Sequence, residues 1–188
     1  MESREKSALL IIDMQNKWIS SANTLFPQMG IAVETIGRLR KTWAALGLPV
    51  FFITLVHEAD GSTLSRFDSK PWNIRGTSEA EIIDELRPEP HEIVMTKHRY
   101  SAFFGTDLAL KLKEAGIGAC VITGYQARAC VLATALDAYQ LDLKAEVVEN
   151  AVLDTDQAQL NFYLAAFRDA GILKSVDEIV AAASVSRS

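Results

Sequence analysis

Cysteine is scarce: Cys120 and Cys130 are the only two in 188 residues. No CxxC pair or Cys/His cluster accompanies them, so neither a disulfide framework nor a thiolate zinc site can be built. Long hydrophobic runs are missing as well. The longest, Ala8–Ile12 and Val50–Val56 with Thr54 inside it, fall far short of the roughly 18 residues that cross a bilayer. Met1–Ser7 is polar and unlike a secretory leader, so the cytosol is the expected compartment and a membrane is not an expected partner. There is no basic stripe: 24 acidic and 19 basic residues are spread along the chain, for a net charge of −5. Nucleic acid is therefore not an expected partner either. Five prolines and ten glycines without a period exclude collagen-like and low-complexity chains. A hydrophobic content of 49% with 23% charged residues belongs to a globular protein. Against about 100–200 residues per domain, the length predicts one domain over residues 1–188.

Five apolar runs rich in β-branched residues read as buried strands: Ala8–Ile12, Pro49–Val56, Glu92–Thr96, Ala119–Thr123 and Lys144–Val148. Helical spacing fills the intervals. One helix is begun by Ile31, Val33, Ile36, Leu39 and Leu46; a second covers Glu79–Leu86; a third carries Leu108, Leu112 and Ala115; a fourth covers Val131–Tyr139 and a fifth Leu160–Ala170. Gly47 and Gly116 stand where C-caps belong, and Pro88 stops the second helix. A final unit, Ile172–Val176 then Asp177–Ala183, adds a sixth strand and a terminal helix. Such alternation requires right-handed crossovers. The expected class is α/β, a single doubly wound, Rossmann-like domain with helices on both faces of a parallel sheet. A dinucleotide is not an expected ligand, because the turn Asp13-Met14-Gln15-Asn16 has no glycine to let backbone approach a pyrophosphate.

Open parallel sheets bind ligands beyond the carboxyl ends of their strands, and three complementary residues fall there. Asp13 follows Leu9-Leu10-Ile11-Ile12, Lys97 follows Ile93-Val94-Met95-Thr96, and Cys130 lies a few residues past Val121-Ile122-Thr123-Gly124, where the fourth helix begins. Singly, an aspartate at a strand end caps a turn, a lysine is solvated and a cysteine is a small buried hydrophobe. A base, a cation and a thiol delivered by three βα units to one sheet edge instead make a nucleophilic site. The first turn of a helix is expected to lower the Cys130 pKa. Asp13 is expected to take the thiol proton and return it to a leaving amine, with Lys97 holding the carboxylate and the developing negative charge. Amides of the Gly124–Cys130 turn are placed to receive an oxyanion. Such a set suits transfer of an acyl group from a small amide to water through a thioester, with no metal and no cofactor. Trp18, Trp72, Tyr100, Phe103 and Phe104 lie near the same edge and are candidates to line a small dry pocket, one of the phenylalanines closing the core instead. Gln15 either orients Asp13, hydrogen-bonds the substrate or satisfies local backbone groups.

The segments LLIIDMQN (9–16), IRGTSEAEIIDEL (74–86), VMTKHRYSAFFGTDL (94–108) and TGYQARACVLATALDAYQL (123–141) resemble the isochorismatase-like cysteine hydrolases, a family that includes nicotinamidases, N-carbamoylsarcosine amidase, ureidoacrylate amidohydrolase and biuret hydrolase. The resemblance implies a six-stranded parallel sheet and a catalytic triad of Asp13, Lys97 and Cys130. It implies an oxyanion hole from the backbone N–H groups of Cys130 and Gln126, the latter following a non-proline cis peptide. It also implies cleavage of a small carboxamide, carbamoyl or ureido compound, and self-association as a homodimer or homotetramer.

The departures from the family pattern fall beside the nucleophile. Members commonly read Gly-Val-Ala/Ser-Thr-Asn/Ser-x-Cys, where this chain has Gly124-Tyr125-Gln126-Ala127-Arg128-Ala129-Cys130. Tyr125 reshapes the pocket. Arg128 either grips a substrate carboxylate or turns to solvent or a subunit contact. Nicotinamidases hold a metal with an Asp-x-His pair, which the segment Leu55-Val56-His57-Glu58-Ala59-Asp60 lacks, so no metal is expected. Two other readings remain. One is vinyl ether hydrolysis of the isochorismatase type, which relies on the aspartate and which Cys130 argues against. The other is a non-catalytic relative that binds a metabolite or a partner protein.

Overall fold

The computed structural model describes residues 5–20 and 26–185. Its centre is one parallel sheet of six strands: β1 (Lys6–Ile12), β2 (Val50–Leu55), β3 (Ile93–Lys97), β4 (Ile117–Tyr125), β5 (Lys144–Leu153) and β6 (Leu173–Lys174). The spatial order is β3-β2-β1-β4-β5-β6. Chain direction around the sheet reverses between β1 and β4, which opens a crevice at their carboxyl ends.

Strands buried on both faces divide their side chains alternately between two layers. Ala8, Leu10 and Ile12 of β1 join Phe51, Ile53 and Ile122 beneath α3 (Leu108–Glu114), α4 (Leu132–Gln140) and α5 (Gln157–Asp169). Leu9 and Ile11 join Phe52, Val121 and Val148 beneath α2 (Phe26–Leu46) and α6 (Val176–Val185). Trp43 on α2 is fully buried in that second layer and donates its indole N–H to the Ser7 carbonyl at 3.2 Å. A short helix, α1 (Asn16–Ser20), follows β1.

Three elements differ from the sequence expectation, each for a local reason. The helix expected over Glu79–Leu86 is replaced by single 3-10 turns at Ser78–Ala80 and Asp84–Leu86. Backbone groups of that stretch pair with the turn after β1 instead: Ile83 N donates to Met14 O at 3.0 Å and Asn16 N to Glu81 O at 2.9 Å, around an antiparallel bridge between Gln15 and Ile82. The sixth strand is only Leu173–Lys174, because Ser175 and Glu178 form a reciprocal capping box that starts α6. The Ser175 amide reaches the Glu178 carboxylate at 2.7 Å, and the Glu178 amide reaches the Ser175 hydroxyl at 3.2 Å. β5 runs five residues beyond the expected Val148, to Leu153, and so delivers Asp154 to the carboxyl edge.

At the crevice, Gly124 has φ +107°, and a Cβ there would collide with the backbone of Ile12. Only glycine lets the end of β4 lie this close to the end of β1.

Candidate active site

Asp13 leaves β1 in the left-handed region, φ 51°, which aspartate tolerates better than most residues. Its amide is held by Ile53 O at 2.8 Å and its carbonyl by Gln15 N at 2.8 Å. Lys97 ends β3, two strands from β1, a gap of roughly 10 Å at about 4.8 Å per strand. Its four-carbon stem crosses the end of β2 and brings Nζ 2.8 Å from Asp13 Oδ2 and 3.3 Å from Cys130 Sγ, with the Arg99 carbonyl third at 3.2 Å. Each of the three ammonium protons thus has one acceptor, which fixes the charge in place. Asp13 is 1%, Lys97 0% and Cys130 5% exposed. Asp13 Oδ1 has no hydrogen-bond partner among the described residues.

Water exclusion governs the proton affinities. Burial lifts the Asp13 carboxyl above the ordinary carboxylate range, and the opposing Lys97 charge does not cancel that. Burial alone would lower the Lys97 ammonium, but the neighbouring Asp13 carboxylate and Cys130 reverse the direction and raise it. The Cys130 thiol is pushed up by burial first and by the Asp13 carboxylate second, against the pull of Lys97. The expected lowering by a helix N-terminus does not occur, because desolvation outweighs it in this closed setting. All three groups are thus pushed towards holding their protons.

After β4 the Tyr125–Gln126 peptide is cis, and a π-helical turn covers Ala127–Val131. π-turns are frequent at functional sites. Here the Gln126 carbonyl accepts from Ala129 N and Val131 N, both at 3.1 Å, and skips the Cys130 amide between them. Asp154, fully buried, braces the turn by accepting from Arg128 N at 2.9 Å, Gln126 Nε2 at 2.9 Å and Thr155 N at 2.6 Å. From the other side the Thr134 hydroxyl donates to Cys130 O at 2.6 Å and accepts from Ala102 N at 3.0 Å. That bond ties the start of α4 to the loop after Lys97. Asp154 was outside the sequence reading, although Ala151-Val152-Leu153-Asp154 carries the same signal as Asp13, an acid directly after an apolar run.

The residues expected to bind substrate divide into three groups. Trp72 and Tyr100 line a cavity of about 290 Å³, together with Leu55, His57, His98 and Arg99. Behind it Trp18 stacks on Tyr125, ring centroids 5.1 Å apart, and meets Trp72 edge-on at 6.1 Å. The other three are engaged elsewhere. The Gln15 amide, 0% exposed, donates to Leu55 O at 3.2 Å and Ala80 O at 2.7 Å and accepts from Leu55 N at 3.0 Å, so it satisfies backbone groups and has little left for a ligand. Arg128 turns outward, Nε 3.5 Å from Asp154 Oδ1. Phe104 is 64% exposed, whereas Phe103 is buried in the core. The imidazole Nδ1 atoms of His57 and His98 lie 3.3 Å from Thr63 Oγ1 and 2.6 Å from Val56 O. Among the described residues no three His, Cys, Asp or Glu side chains are grouped to hold a metal, and no helix is long and apolar enough to cross a membrane.

Comparison with known proteins bears on the family and the fold. The Isochorismatase domain profile matches residues 7–177. The "uncharacterized isochorismatase family protein PncA" of Bacillus subtilis is 35% identical over 162 residues, covering 81% of this chain and 88% of that protein. Enterobactin synthase component B of Escherichia coli K12 is 30% identical over 152 residues, 80% of this chain but 53% of that protein. The chain therefore spans about half the length of several curated relatives that it matches. The crystal structure of N-carbamoylsarcosine amidase from Thermoplasma acidophilum superposes with a TM-score of 0.77 at 32% identity, covering 92% of this chain and 97% of that one. With the profile matching residues 7–177 and a relative 35% identical that is covered to 88% of its length, the chain belongs to the isochorismatase family.

Proposed function

We propose that this protein is a cofactor-free cysteine amidohydrolase that cleaves the C–N bond of a small carboxamide, carbamoyl or ureido compound. The observation that carries the reading is the Lys97 ammonium bridging Asp13 and Cys130 at 2.8 and 3.3 Å in a site closed to water. Similarity to the amidase of Thermoplasma acidophilum, and to a nicotinamidase from Bacillus subtilis at 28% identity and a TM-score of 0.74, supports amide chemistry.

In the first half-reaction Cys130 Sγ bonds to the substrate carbonyl carbon while its proton passes to Asp13. The raised proton affinity of the carboxylate suits it to that task. The oxyanion lies against the amides of Gln126 and Cys130. Asp13 then protonates the leaving nitrogen, the C–N bond breaks, and an amine or ammonia departs from a thioester. Water, deprotonated by Asp13, cleaves the thioester to the acid and the free thiol. Lys97 keeps its proton throughout and balances the negative charge on either partner.

Asp13, held above the ordinary carboxylate range, also favours a second reading, in which it acts as the acid in vinyl ether hydrolysis and the thiol is idle. Hydroxylamine trapping over a panel of small carboxamides and ureido compounds separates the two. The expected result is an acyl hydroxamate with the native protein and none with Cys130→Ala. Undiminished turnover by Cys130→Ala would overturn the covalent route.

A further inference from the structure

Arg99 lines the cavity beside Trp72 and Tyr100, and its charge has no carboxylate partner among the described residues. Its Nη1 donates to Thr63 O at 2.7 Å and His98 O at 2.6 Å, and its Nη2 to Leu64 O at 3.1 Å. Three of the five guanidinium protons are thereby committed, all to neutral carbonyls. Because Nη1 and Nη2 take the consecutive carbonyls of Thr63 and Leu64 from the end of the group, the two remaining donors, Nε–H and one Nη2–H, lie together along one side edge. That edge is the fork that pairs with both oxygens of a carboxylate.

Among the described residues no carboxylate makes an ion pair with the fork. Asp68, the acid that shares the cavity, is exposed at its rim and accepts from Ser65 N at 3.0 Å. Arg128 offers no rival fork, since Asp154 already balances it. A half-buried cation without a counter-ion is unfavourable until an anion arrives. The carbonyls that hold Arg99 fix its plane in advance, so little ordering is lost when one does. Through the Arg99 carbonyl the same residue touches Lys97 Nζ at 3.2 Å, which ties the backbone that carries this guanidinium to the triad.

Resting on the amidohydrolase reading, we propose that Arg99 is a carboxylate receptor and that the substrate is an amide acid, one small molecule carrying both the scissile C–N bond and a free carboxylate. The carboxylate seats on the Nε/Nη2 edge, Trp72 and Tyr100 flank the linking atoms, and the carbonyl is presented towards Cys130. Arg99 sets which amides are accepted and takes no part in bond making.

Ligand binding to Cys130→Ala protein tests this without turnover, so its outcome is independent of the thioester chemistry. Tryptophan fluorescence reports the cavity through Trp72 and Trp18, with Trp43 a constant background in the core. The probes are succinamate and glutaramate against their neutral partners succinamide and glutaramide. At least one acid is expected to bind about tenfold more tightly than its diamide. Adding Arg99→Gln should bring the ratio to within about twofold, and Arg99→Lys should fall between. Equal affinity for acid and diamide in Cys130→Ala, or no binding of either acid at millimolar concentration, overturns the proposal even if Arg99→Gln does not fold. A ratio that survives Arg99→Gln overturns it too. Failure of the amidohydrolase reading is separate: it would show as undiminished turnover by Cys130→Ala in the hydroxylamine experiment.

Discussion

Replacing Lys97 with methionine keeps the stem and deletes the charge, leaving the Asp13 carboxylate at 1% exposure without the partner 2.8 Å away. Breaking a buried pair by removing one member costs about 3–5 kcal/mol. For a chain of this length each kcal/mol moves the melting temperature by roughly 2–4 °C, so Lys97→Met should melt roughly 6–20 °C lower at neutral pH. Adding Asp13→Asn removes the stranded charge and should recover most of that loss, because two neutral groups of similar volume need no counter-ion. The pH dependence has a definite sign. In Lys97→Met, burial raises the folded-state pKa of Asp13 with no cation opposing it. The stability linked to that carboxyl is full below its unfolded value of about 3.9 and is lost as pH rises through the raised folded value. The gap between Lys97→Met and the double variant should therefore widen from acid to neutral pH. Differential scanning calorimetry of the three proteins across that range measures it. A melting temperature for Lys97→Met within about 2 °C of the native protein, or a double variant no more stable than the single, would refute the buried ion pair.

Three further outcomes follow from the same geometry. Asp13→Asn removes the negative charge that helps hold the Cys130 thiol up and leaves Lys97 beside it, so alkylation of Cys130 by iodoacetamide near neutral pH should accelerate while turnover is lost. Mass spectrometry at Cys130 checks this against Cys120, whose thiol burial pushes up to about 12; a slower rate would contradict the charge argument. On the proposed mechanism the carboxylate form of Asp13 is the active one, and its pKa is raised, so kcat/KM should fall on the acid side at an apparent pKa above the roughly 3.9 of an ordinary aspartate, a value that belongs to the coupled trio. Asp154→Ala strands the buried donors of the turn and should cost about 1–3 kcal/mol together with most of the activity. Arg128→Ala removes a partly exposed side chain 3.5 Å from Asp154 and leaves that carboxylate its three N–H donors, so it should cost less than Asp154→Ala; equal losses from the two, seen by urea denaturation and rate assay, would remove Asp154 from its bracing role.

The strands and the chemistry at their ends were legible because burial on both faces leaves an unmistakable apolar run, and a polar residue that closes such a run has few places to go. Asp13, Lys97 and the turn before Cys130 were all found that way. The helix expected over Glu79–Leu86 was not there because its hydrophobic spacing is equally served by a chain pairing with Met14–Asn16, a long-range partner that local periodicity cannot register. Gln15 and Arg99 show the same limit for side chains. For Gln15 the sequence left open a bond to Asp13, to substrate or to backbone, and the backbone of Leu55 and Ala80 consumes it. Arg99 carries no signal in the sequence, and only the count of its acceptors reveals the two protons left over. Hydrogen-bond accounting needs coordinates, whereas burial patterns do not.

Lys97 sits at the end of β3, the outermost strand, which pairs with β2 alone. Strands at a margin exchange their amide hydrogens through partial opening, at lower free energy than the whole fold requires. When β3 frays, the ammonium is withdrawn from Asp13 and Cys130 while the pairing of β1 with β4 persists. Heat inactivation should therefore run ahead of the melting of the central strands, with the margin of the sheet acting as the fuse of the site.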